Sequence, residues 1–193
     1  LVVDNEYIMS PKDLCTIHFL DRVIDAGVSI LKIEGRARSA EYVKTVCRCY
    51  HEALLSLEDG TYNHERVEEW KKQLATVFNR GFWDGYYLGK KLGEWSGVYG
   101  SKATKRKIYL GKSTNYFSKL GVAEFVIETG TLQKGDEILI TGPTTGVLEM
   151  QADEIHVDNA PAQLAEKGQF FSLRTNSPVR RADKLYKLVT VQE

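Results

Sequence analysis

Residues 34–38, Glu-Gly-Arg-Ala-Arg, put one carboxylate and two guanidinium groups into a five-residue corner. The corner lies between an apolar run, Ile30 to Ile33, and an amphipathic stretch that opens at Ser39. Guanidinium forks match carboxylate and phosphate geometry. A helix starting at Ser39 would turn unpaired N–H groups and a positive dipole end toward the same place, favouring an anion by roughly 0.3–1 kcal/mol at an exposed site. Gly35 lets the backbone turn tightly or approach a ligand closely. Gly35, Arg36, Arg38 and Ser39 are therefore candidates for holding an anion. Glu34 is the candidate catalytic carboxylate, orienting an arginine or contacting a polar substrate group. The competing reading is structural: Glu34 pairs with Arg36 or Arg38 and ties the loop down, as surface charge clusters commonly do.

A second cluster follows later. Residues 89–107 carry six Lys and Arg against one Glu. Lys90, Lys91, Lys102, Lys105, Arg106 and Lys107 are interleaved with Trp95 and Tyr99, a mixture suited to contacting an RNA backbone and stacking on bases. A solvated tether has the same composition. The three cysteines are poorer candidates. On one helix Cys47 and Cys49 would point about 200° apart and could not grip one metal together. Cys47 falls on the apolar stripe and is expected in the core. Cys15, near a helix start, could have a lowered pKa, but no histidine or second thiol is placed beside it by spacing. The four histidines show no metal-ligand spacing, and neither a serine-nucleophile elbow nor a phosphate-binding P-loop is present. No metal site is expected.

The elements that must position these groups can be read from periodicity. Ser10-Pro11-Lys12-Asp13 has the chemistry of a helix start, with Leu14, Ile17, Leu20 and Ile24 at helical spacing and Gly27 as a stop. Residues 28–33, VSILKI, read as a short buried strand. A helix after Ser39 carries Ala40, Val43, Val46, Cys47, Tyr50, Ala53, Leu54 and Leu57 as its stripe. Another spans residues 64–78, capped by Asn63, with Val67, Trp70, Leu74, Val77 and Phe78 on one face. An aromatic, glycine-rich segment, NRGFWDGYYLG, comes next. From about residue 106 the period changes to two, and short strands are expected at 107–112, 121–128, 136–141, 146–158, 169–175 and 183–189. Such a series suggests a small closed barrel.

Helix, strand and helix with short connections form a β/α unit, yet a buried parallel strand needs neighbours on both sides. Residues 1–60 offer at most one more strand, near 1–3 or 7–9. The opening residues read as mid-pattern, so the expectation is the end of a larger β/α barrel (residues 1–60), a helical connector and basic linker (61–104) and a β-barrel (105–193). The fold class is α+β and multidomain. Strand 28–33 without neighbours would favour pairing with another copy of the chain.

The totals set mild bounds. The 193 residues carry 26 Lys and Arg against 26 Asp and Glu, so net charge directs the chain to neither nucleic acid nor membrane. The split is 11 against 14 before residue 90 and 15 against 12 after it. Three cysteines make a poor disulfide framework and fit a reducing, cytoplasmic setting. No apolar run reaches the ~18 residues of a membrane span.

The segment YIMSPKDLCTIHFLDRVIDAGVSILKIEGRARSAEYVKTV resembles the conserved region of peptidase family U32, the collagenase-like proteases. NRGFWDGYYLG is similar to the stretch that follows it in that family. KSTNYFSKLGVAEFVIETGTLQKGDEILITGPTTGVLE resembles the family's C-terminal barrel, itself similar to the second domain of elongation factor Tu. The resemblance implies an intact protein with a catalytic β/α barrel N-terminal to the part seen here, and an accessory barrel. It implies either peptide hydrolysis or hydroxylation of RNA, including the wobble uridine of transfer RNA, with prephenate and an iron–sulfur cluster. The cysteine-bearing signature of the family has no counterpart in residues 1–193. By itself this stretch is expected to be inactive, serving as a lid or as an RNA- or protein-binding module.

Overall fold

From residue 105 onward the two-residue alternation becomes an antiparallel sheet. A computed structural model describes residues 11–90, 92–97 and 100–191. The chain divides into two units, residues 1–104 and 105–193. Ser10, Lys91, Tyr99 and the extra strand expected near 1–3 or 7–9 lie outside the described residues.

In the second unit, strands β3 (Lys105–Phe117), β4 (Val122–Ile127), β6 (Glu137–Gly142), β7 (Gly146–Gln151), β8 (Ile155–Val157), β9 (Ala160–Ala162), β11 (Phe170–Arg174) and β12 (Lys184–Thr190) form one sheet. Its order is β7-β6-β12-β3-β4-β11-β8-β9. Strands β5 (Thr131–Gln133) and β10 (Leu164–Glu166) pair separately. Every expected strand is present, the fourth as two pieces. The three that sequence reading missed, β5, β9 and β10, have three residues each, too few for an alternation to register.

One core gathers the inward positions: Leu110, Phe125, Ile127, Leu132, Ile138, Ile140, Ile155, Phe171 and Leu185 are buried together. Phe125 and Phe171 are register partners across β4 and β11 and stack with centroids 5.4 Å apart. Burying such a ring contributes about 1.5–3 kcal/mol. Gly111 permits the close approach of β3 to β4, since a Cβ there would lie 1.9 Å from the Val126 carbonyl oxygen.

The first unit is helical. A single 3-10 turn (Ile17–Phe19) leads into α1 (Leu20–Asp25), followed by α2 (Ala40–Glu58) and α3 (His64–Ala75). Ile17, Leu20, Val46, Cys49, Ala53, Val67, Trp70 and Leu74 make its core. Asn63 caps α3 as its sequence requires, its side chain accepting a hydrogen bond from the Arg66 N–H at 3.0 Å. Gly27, at φ +90°, ends α1.

Three expectations need correction here. The helix does not start at Pro11. Instead β1 (Asp13–Leu14) pairs in parallel with β2 (Phe82–Trp83), and the Lys12, Asp13 and Cys15 N–H groups bond to Glu94, Gly81 and Trp83. Ladder bonds to a segment about 70 residues away override a good local helix start, which is a tertiary effect on propensity. Residues 28–33 form no ladder, and Ile30 is 84 % exposed. Leu31 and Ile33 still pack against the helical core, so one side of the segment is used and the other is open. A strand of this kind needs neighbours on both edges, and none is present among the described residues. Finally, the buried face of α2 runs through Thr45, Val46, Cys49, Ala53 and Ser56, so Cys49 is in the core and Cys47 is exposed. Val46, Tyr50, Ala53, Leu54 and Leu57 of the expected stripe do pack in or against the core, while Val43 and Cys47 lie at its exposed edge.

Among the described residues no helix is long and apolar enough to cross a membrane.

Candidate functional site

The Glu34–Arg38 corner sits at the start of α2, as its sequence suggests. Ser39 occupies the N-cap position with extended backbone, but its hydroxyl makes no capping bond. Residues 36 and 37 form a turn, closed by the Arg38 N–H donating to the Gly35 carbonyl at 3.0 Å, with Ala37 at φ +57°. The Glu34 carboxylate accepts from the Arg36 backbone N–H at 2.7 Å, so its first role is to fix the turn. At Gly35 a Cβ would press to 2.9 Å from Val43 on the first turn of α2, so only glycine lets the corner lie this close to the helix.

The two arginines have different environments. Arg38 is 20 % exposed and donates to Asp13 at 3.0 Å. Its guanidinium lies 4.4 Å from the centroid of Phe78 and 5.3 Å from that of Tyr42. The other Asp13 oxygen accepts from the Arg80 N–H at 2.8 Å, so one carboxylate joins β1, the corner and the end of α3. Arg36 is 89 % exposed, with its Nε 4.0 Å from Glu34. The corner thus holds one internally satisfied guanidinium and one that faces solvent from an ordered turn. Tyr42 is a local neighbour of Arg38, four positions on, but Asp13 and Phe78 lie far from it in sequence and left no local signal.

The basic cluster is dispersed. Lys90 pairs with Glu94 and stands 4.0 Å from Asp84. Glu94 also receives Lys12 at 2.6 Å, and the two cations hold its carboxyl down to about 2. Lys102 is exposed, its backbone tied to Asn79 at 2.7 Å. Lys105, Arg106 and Lys107 are not tether but the start of β3: Lys105 bonds Glu137 at 2.6 Å, Lys107 lies 4.9 Å over the Tyr186 ring, and Arg106 is exposed. They belong to the other unit from Lys90 and Lys102.

The aromatic segment makes a cleft of about 430 Å³ lined by Leu14, Trp83, Gly85, Tyr86 and Tyr87. Trp83 and Tyr86 meet edge to face at 5.2 Å. Burial pushes up the Cys15 thiol and takes that of Cys49 to about 11, which keeps both protonated and poor nucleophiles. Tyr50, whose hydroxyl accepts the Thr16 N–H at 3.0 Å, is likewise raised by burial. Among the described residues no three His, Cys, Asp or Glu side chains converge as metal ligands.

A helical unit and an antiparallel-sheet unit define an α+β protein, with Arg36 facing solvent from the turn before α2. Residues 3–97 match peptidase family U32, and the chain belongs to that family. It is 59 % identical over 187 residues to a collagenase of Porphyromonas gingivalis W83, covering 97 % of this chain and 45 % of that protein. It is 35 % identical over 191 residues to an uncharacterized protease of Methanocaldococcus jannaschii, covering 97 % of this chain and 46 % of the other. With tRNA hydroxylation protein P1 of Bacillus subtilis it shares 30 % over 141 residues, 72 % of this chain and 33 % of that one. The chain spans about half the length of the curated collagenase and protease relatives it matches.

Proposed function

We propose that this chain is the substrate-holding part of a U32-family protein that hydroxylates RNA, the wobble uridine of transfer RNA in particular. In this reading residues 1–60 complete a β/α barrel, and the sheet unit is a barrel of the elongation factor Tu second-domain kind, acting as substrate-binding module or lid. Arg36 is the anion contact, receiving an RNA phosphate or a carboxylate of a dicarboxylate cosubstrate such as prephenate. Arg38 positions the turn through Asp13. The observation that carries the reading is the asymmetry of the corner: a fixed backbone, one arginine fully engaged, and one 89 % exposed. An iron–sulfur cluster does not fit the described residues. Cys15 and Cys49 are buried apart from exposed Cys47, and no third ligand set is at hand. The chemistry of the reaction is therefore assigned to no residue of this stretch, and Glu34 is read as the holder of the turn.

A second reading is peptide hydrolysis, favoured by the 59 % identity to the collagenase. A third is a non-catalytic RNA- or protein-binding module. Mass spectrometry of bulk RNA from cells that lack the gene, complemented with wild type or Arg36→Ala, separates them. The RNA reading expects the hydroxylated uridine to vanish with the deletion and to stay absent with Arg36→Ala, while the melting temperature of the variant stays within a degree or two. Unchanged RNA in the deletion strain, together with loss of gelatin cleavage, would establish the peptidase instead.

A further inference from the structure

The second unit is nearly neutral, with 12 Lys and Arg against 11 Asp and Glu over residues 105–193. Its charge is not evenly spread. Residues 174–184, which end β11 and open β12, contain Arg174, Arg180, Arg181 and Lys184 against a single acid, Asp183. Asp183 is 2 % exposed and faces inward. One of its oxygens accepts from the Arg180 N–H at 2.7 Å and from the Thr145 hydroxyl. The other lies where a Cβ on residue 142 would come to 1.7 Å, so Gly142 is required for the carboxylate to enter. The Ala182 N–H donates to Ser113 at 2.9 Å, and the Ser113 N–H donates to Asp183 at 2.8 Å. The loop is therefore clamped at its only acid, while Arg180, Arg181 and Lys184 are exposed and no side-chain partner for them occurs among the described residues. Lys184 also stands directly opposite Lys112 across the β12–β3 ladder. Like charges so placed are destabilising, and only Lys112 has a counter-ion, Glu128 at 2.8 Å.

We infer that this loop is a phosphate-backbone contact surface, built by Arg180, Arg181 and Lys184 with Lys112 beside them, for an RNA strand. The inference rests on the RNA reading above and adds the second unit's share in it. A cluster of exposed cations binds a polyanion by releasing its counter-ions, so affinity falls steeply with salt and carries no sequence preference. Guanidinium pairs suit phosphate oxygens better than lysine alone. The buried carboxylate gives the loop its shape without cancelling its outward charge.

The test is fluorescence anisotropy of labelled, unmodified bulk tRNA with the 193-residue chain from 50 to 200 mM KCl. The combined variant Arg180→Gln, Arg181→Gln and Lys184→Gln is expected to bind about tenfold more weakly at 100 mM salt, with the log–log salt slope shallower by roughly two to three. Its melting curve should match wild type, since the three side chains have no partners to lose among the described residues. Polyglutamate should compete far less well than RNA at equal charge. Wild-type binding with an unchanged slope in the variant would overturn the surface but leave the RNA reading to the cellular assay. Equal competition by polyglutamate would overturn it in favour of an acidic protein partner. No binding by wild type at 50 mM salt would likewise remove this surface, independently of whether cellular RNA hydroxylation is lost.

Discussion

The two units satisfy their backbones in different ways. Residues 105–193 pair strand against strand, and the resulting core holds Phe125, Phe171, Ile138 and Leu185 at 1 % exposure or less. In residues 11–104 the helices enclose a smaller core, and residues 28–33 make no backbone hydrogen bond among the described residues. Ile30 there is exposed, as are Tyr87 and Leu92 elsewhere in the same unit. The difference shows that alternation produces a strand where a partner is present to pair with it, near in sequence as for β6 and β7 or distant as for β3 and β12. Residues 28–33 have no ladder partner among the described residues, so their apolar side chains are only half used.

The sharpest way to break this comparison is to remove apolar volume from each unit. Phe171→Ala deletes a fully buried ring and should cost about 3–5 kcal/mol. Ile30→Ser should stay within about 0.5 kcal/mol, as exposed substitutions do. Urea denaturation of both variants measures it. A cost above 1 kcal/mol for Ile30→Ser would mean the segment is covered in solution. A smaller effect is expected at the tie that organises the first unit. Asp13→Asn keeps the shape but removes the charge facing Arg38 and should cost about 1.5–3 kcal/mol, the worth of a hydrogen bond to a charged group. The same substitution leaves Arg36 exposed, so a loss of RNA modification no greater than the loss of folded protein would separate the positioning arginine from the contacting one.

The smallest effect concerns acid. Glu94 is held near 2 by Lys12 and Lys90, below its ordinary 4.5. A depressed carboxyl contributes its stabilisation fully above the unfolded value, and that contribution fades as pH falls from about 4.5 toward 2. Melting temperatures of wild type and Glu94→Gln should therefore differ at pH 6, draw together below about pH 4.5 and converge as pH approaches about 2. A gap that persists unchanged at the lower pH would assign the difference to packing rather than to the ion pairs.

Much of this architecture is legible in the residues. The six expected strands, the Asn63 cap, the Gly27 stop and the turn before α2 all form. The cap, the stop and the turn depend on neighbours a few positions away; alternation marks the strands, but it does not say that Lys184 will face Lys112 or Phe171 face Phe125. The site was legible only as a collection of groups. Glu34, Arg36 and Arg38 look equivalent in sequence, yet Asp13, Tyr42 and Phe78 take Arg38 out of solvent and leave Arg36 in it. The basic loop at 180–184 drew no notice either, because its only acid looks like a counter-charge until burial turns it inward.

Residue order alone therefore settled the family and most local conformations, the stretch after Pro11 and residues 28–33 excepted, through spacing that sterics and hydrogen bonding read over a few positions. The tertiary fold decided which charges are free. Partners such as Asp13 with Arg38 and Lys12 with Glu94 lie 25 and 82 residues apart. It also put Cys49 rather than Cys47 in the core, and replaced a helix start at Pro11 with a ladder to Phe82 and Trp83. Such choices depend on which surfaces meet, and no short-range rule contains that information.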